Sequence, residues 1–104
     1  SSQAVMARCG LAYCYEKMKK YRQALDHYLV VRSYLDSDEQ FATEAEKIGL
    51  LVHIGRCYRK LGNFDDAVVL YHWAHNQANK HFGPASSLAQ KMRKLVGVVD
   101  GTKI

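Results

Sequence analysis

Residues 50–74, LLVHIGRCYRKLGNFDDAVVLYHWA, constrain this chain more than any other stretch. Ile54, Tyr58 and Leu61 recur at steps of four and three, the spacing of one face of an α-helix. Gly62 supplies a left-handed helix stop, and Asn63 continues the turn. Phe64, Ala67, Val68 and Tyr71 restart the same rhythm, which closes at Ala74. Small residues (Gly55, Ala67, Ala74) fall where two helices must approach closely, and large ones (Tyr58, Phe64, Tyr71) fill the space between. The expectation is a helical hairpin that cannot bury its own apolar face alone.

The same unit occurs twice. Leu11, Ala12, Tyr15, Tyr21, Ala24, Tyr28 and Val31 stand 43 positions before Ile54, Gly55, Tyr58, Phe64, Ala67, Tyr71 and Ala74, with no gap inside the unit. The first copy is poorer, because Lys19 replaces the turn glycine and Val31 the last small residue. A register shifted to Gly10 would lose Tyr21 and Ala24, so it is rejected.

Leu51, Ile54, Gly55, Tyr58, Gly62, Phe64, Ala67, Tyr71 and Ala74 together resemble the tetratricopeptide repeat signature, a small/large pattern over a helix–turn–helix. The resemblance implies an all-α solenoid of helical hairpins whose concave face holds a peptide or a partner helix. The usual period is about 34 residues, and the additional residues here lie in SYLDSDEQFATEAEKIG. Ser37 with Gln40 three residues on reads as a capping box, and Asp38, Glu39 and Glu44 suit a helix N-terminus. The extra length is therefore read as a longer helix rather than a loop. Downstream, Gly83-Pro84 breaks a helix, and Leu88, Met92, Leu95 and Val99 form a further stripe. The segment HFGPASSLAQKMRKL resembles the inter-repeat junction of kinesin light chains and related long-period repeats of about 42 residues. With no aromatic after Leu95, the last helix is read as a cap or the start of a third repeat.

The expected map is helices over 3–18, 21–35, 38–61, 64–81 and 85–98. Repeat one takes about 5–38, repeat two about 39–82, and the terminal helix about 85–98, within one domain of 104 residues. A hydrophobic fraction of 48% with one proline excludes a disordered segment. No apolar run approaches the ~18 residues that a membrane helix needs, and the N-terminus does not read as a signal peptide. Starting at Ser-Ser-Gln, the sequence is expected to be a piece of a longer protein. Three cysteines, odd in number and without paired spacing, point to a reducing compartment, cytoplasmic or nuclear. Cys9, Cys14 and Cys57 are read as buried small hydrophobes.

No catalytic site emerges. There is no phosphate loop, nucleophile elbow or paired-cysteine zinc spacing, and no cofactor is expected. His72 and His75 share a helical face but lack a third ligand nearby in sequence, so no metal site is assigned. In the family, residues offset from the packing stripe of each first helix line the concave face. Carried over, this implies Met6, Cys9, Tyr13, Glu16 and Lys17 from the first copy, and Gly49, Val52, Arg56, Arg59 and Lys60 from the second. Gln90, Arg93 and Lys94 would follow from the last helix. The expected partner-binding set is Tyr13, Lys17, Val52, Arg56, Arg59, Lys60 and Arg93, a basic surface suited to an acidic protein segment. Against this stands the bland reading that late-helix cations answer the helix dipole. Tyr13 and Arg56 stand where the co-chaperone members carry carboxylate-clamping asparagines, so chaperone-tail binding is not expected.

Two alternatives stand beside the groove. A purely structural or oligomerising segment would use its open solenoid ends, since about three repeats are needed for stability. Aromatics such as Tyr34 and Trp73 would then serve as contact or inter-repeat packing residues. Nucleic-acid binding rests on a net charge of +5, and the acidic stretches at 36–39 and 44–46 interrupt it.

Overall fold

The computed structural model describes residues 2–37 and 42–102. Among these residues five helices follow one another: α1 (Ser2–Lys17), α2 (Tyr21–Ser37), α3 (Glu44–Lys60), α4 (Phe64–Phe82) and α5 (Ser87–Thr102). No strand occurs among the described residues. Each helix packs on the next, and side chains also link α1 to α3, α3 to α5 and α2 to α4, so α1, α3 and α5 form one layer and α2 and α4 the other. The fold is an all-α helical repeat of two hairpins and a terminal helix.

The 43-residue repetition extends to the backbone. In the second turn Gly62 N–H donates to Arg59 O at 3.0 Å and Asn63 N–H to Tyr58 O at 2.8 Å. In the first turn Lys19 N–H donates to Glu16 O and Lys20 N–H to Tyr15 O, both at 2.9 Å. Gly62 sits at φ 85° and Lys19 at φ 62°, so the lysine occupies the same left-handed stop without glycine's freedom.

The core follows the stripe. Ala12, Ala24, Tyr28 and Val31 are buried, as are Ile54, Gly55, Ala67, Tyr71 and Ala74. At Gly55 the two helices approach too closely for a side chain: a Cβ there would stand 2.6 Å from Tyr71 Cε1. Trp73, outside the stripe, is half-exposed and lies on α4 facing the first hairpin, with the Arg32 guanidinium 4.9 Å from its ring.

Four expectations are corrected: the start of α3, its cap, the start of α5 and the burial of the cysteines. The helix read over 38–61 begins at Glu44, with Thr43 as its N-cap: Thr43 Oγ1 accepts from Glu46 N–H at 3.1 Å, and Glu46 Oε1 accepts from Thr43 N–H at 2.9 Å. Ser37 is not an N-cap but the last residue of α2, its hydroxyl donating to Tyr34 O at 2.9 Å. Residues 38–41, with Gln40 of the expected box, lie outside the described residues. Pro84 lies in a turn ahead of α5, and Ser86 caps that helix by accepting from Ala89 N–H at 3.2 Å. Of the cysteines, only Cys57 is fully buried; Cys9 is partly buried and Cys14 is exposed.

Candidate partner groove

The layer of α1, α3 and α5 carries two adjoining features, a buried carboxylate cluster and an open groove. The cluster centres on Glu16, whose side chain is 7% exposed. Ala12 and Glu16 are four residues apart on α1, so the acid sits on the packing face. Tyr28 of α2 donates its hydroxyl to Glu16 Oε1 at 2.8 Å, and Arg56 of α3 donates to Oε2 at 2.8 Å. His53 Nδ1 lies 2.9 Å from Oε1. A carboxylate oxygen only accepts, so the proton sits on Nδ1; the 3.3 Å approach of Arg56 to that nitrogen is then contact without a hydrogen bond. The His53 ring stacks on Tyr28 at 5.4 Å and meets the edge of Tyr13 at 6.0 Å.

Burial alone would push the Glu16 carboxyl up, but hydrogen bonds from Arg56 and Tyr28 and the His53 ring outweigh it and hold it below the usual range. Burial and then the Glu16 carboxylate push the Tyr28 hydroxyl up. For Arg56, burial opposes the charge and the Glu16 contact more than restores it. Arg56 is thus committed to an internal ion pair.

At the equivalent slot of the second hairpin, 43 residues on from Glu16, stands Arg59. It lies beside Tyr71 as Glu16 lies beside Tyr28, with the charge inverted. Arg59 Nε and the Tyr71 hydroxyl are both buried without a hydrogen-bond partner among the described residues.

The groove, of about 510 Å³, runs between α3 and α5. Ile48, Val52, Leu88, Met92, Leu95 and Val98 supply its apolar lining, and His53, Arg56, Lys91 and Lys94 its polar groups. Of the seven residues expected from sequence, Val52 and Arg56 therefore line it. Tyr13 borders it through His53, and Lys17 lies over the Tyr13 ring at 5.1 Å. Arg59, Lys60 and Arg93 are not among its walls: Arg59 turns toward Tyr71, and Lys60 and Arg93 are exposed elsewhere.

Sequence reasoning missed Lys91 as a groove residue and His53 as a partner of Glu16. Lys91 could have been found, since it lies three residues before Lys94 on one helical face. The Glu16–His53 contact spans 37 residues and leaves no spacing signal. Among the described residues no group of three His, Cys, Asp or Glu side chains could hold a metal, and no helix is long and apolar enough to cross a membrane.

The family model of the tetratricopeptide repeat matches the chain at residues 10–34 and again at 50–72, one segment in each hairpin. No curated protein and no solved structure matches the chain.

Proposed function

We propose, from the premise that the chain belongs to the tetratricopeptide repeat family of protein-interaction modules, that it holds an acidic partner segment in the groove between α3 and α5. The observation that carries this reading is the make-up of the walls: apolar surface flanked by Lys91 and Lys94, with no carboxylate among the described wall residues and with Arg56 already paired to Glu16. Such a concavity raises the local concentration of acidic segments and favours their carboxylates. Nothing in this role asks for catalysis or a cofactor. The 43-residue period and the Gly83-Pro84 junction support placing the repeats with the long-period kind found in kinesin light chains. Three free thiols suit a reducing compartment, the cytoplasm or nucleus.

Selection from a random peptide library displayed on phage tests the reading. The expected result is enrichment of acidic sequences, with binding that falls steeply as salt rises and is lost in Val98→Glu, an exposed wall position. Selection of neutral or basic peptides, or indifference to Val98→Glu, would overturn it.

One observation favours a second reading, a structural segment with occupied ends. Leu11 on α1 and Met18 just after it are 45% and 56% exposed, whereas their equivalents, Ile54 on α3 and Leu61 just after it, are buried and partly buried. Sedimentation that shows a tight dimer, dispersed by Leu11→Lys, would support that reading in place of the groove.

A further inference from the structure

We propose that the occupant of this groove is an amphipathic α-helix whose acidic residues lie along the edge facing α5; this rests on the groove reading above. The first argument is backbone satisfaction. The groove walls offer apolar side chains and the cationic or donor groups His53, Arg56, Lys91 and Lys94. The carbonyls inside α3 and α5 are engaged within their own helices, and Glu16, the carboxylate bonded to the wall residues His53 and Arg56, already takes three contacts from Tyr28, His53 and Arg56. Among the described wall residues an extended segment laid on this surface would find at most the His53 Nε2 as an acceptor for its row of N–H groups, and unmet buried amides are costly. A helix brings its own partners and presents only side chains.

The second argument is the one-sided charge of the groove. On the α3 side, Arg56 is neutralised by Glu16 at 2.8 Å, and on α1 Lys17 lies over the Tyr13 ring. On the α5 side, Lys91 and Lys94 have no opposing acid among the described residues of the groove walls. These lysines stand three residues apart on one face, which places their ammonium groups about one helical turn from each other. Carboxylates at i and i+3 or i+4 of a bound helix match that spacing, while its apolar stripe meets Val52, Met92 and Leu95. The acidic edge and the apolar stripe are therefore adjacent on the partner.

Fluorescence anisotropy with three labelled synthetic peptides tests this on the full chain. The first carries leucines at i, i+3 and i+7 with glutamates beside them and is hydrocarbon-stapled as a helix. The second is a scramble of the same composition without a stripe, and the third keeps the stripe with lysines in place of the glutamates. The first is expected to bind at least about tenfold more tightly than either control, a difference of about 1.4 kcal/mol. Lys91→Glu with Lys94→Glu, both exposed and so neutral to far-UV circular dichroism, is expected to weaken the first peptide at least tenfold and to improve the third. Equal binding of the scramble would overturn the helix while sparing the acidic groove. Loss of binding in Arg56→Gln but not in the lysine pair would overturn the placement on α5. Failure of all three peptides to bind would overturn the groove reading itself.

Discussion

Leu11 and Ile54 occupy the same slot of the repeated unit, yet one is 45% exposed and the other fully buried. Cys14 and Cys57 repeat the contrast: Cys57 is fully buried, while Cys14 is exposed. The identity of a residue in the unit sets which face it occupies, and the presence of a preceding hairpin sets what that face costs to expose. Ile54→Ala should therefore destabilise the fold by about 2–5 kcal/mol through transfer and cavity effects. Leu11→Ala should cost under about 1 kcal/mol, because there is little packing to lose. Urea titrations of the two variants check the contrast, and equal losses would show that the α1 face is covered in solution.

At the scale of elements, the two turns show how far sequence alone reaches. Lys19 makes the same backbone bonds as Gly62 but holds φ 62° with a side chain in place. Left-handed backbone costs a residue with a Cβ roughly 1 kcal/mol, so Lys19→Gly should raise stability despite glycine's extra freedom in the unfolded chain. The net gain is the difference of those two effects, a few tenths of a kcal/mol to about 1; a lower urea midpoint would refute it. Hairpins, turns and packing stripe were legible because each is written within a few helical turns. The start of α3 was not, since Ser37 with Gln40 and Thr43 with Glu46 both fit the same local box. What separates them is that α2 continues through Ser37, which no four-residue pattern records. The groove was legible only in part. Arg56 and Arg59 look alike as late-helix cations, and only the assembled layers turn one onto Glu16 and the other toward Tyr71.

Glu16 belongs to the scale of the whole molecule, because its three contacts tie α1 to α2 and both to α3. It thereby links the first hairpin to the second through charge-assisted bonds, each worth about 1.5–3 kcal/mol to a buried charged group. The folded state holds its carboxyl below the ordinary value of 4.5, so the native protein binds this proton less readily than the unfolded chain does. Its contribution is accordingly complete above that ordinary value and fades as the pH falls through it toward the lower folded value. Glu46, also held below 4.5 by Thr43, shifts stability in the same direction. Glu16→Gln isolates the Glu16 share: it keeps the shape, removes the charge and replaces one of the two acceptor oxygens shared by Tyr28, His53 and Arg56 with an NH2 donor. At neutral pH the variant should be less stable by about 1–3 kcal/mol. Because protonated Glu16 resembles glutamine, the gap between the two proteins should narrow on acidification below about pH 4.5. Denaturation midpoints of both proteins across the acid range measure it. A gap that stays constant from neutral pH down would mean that the charge of Glu16 does not couple the hairpins, leaving apolar packing between α2 and α3 to do so.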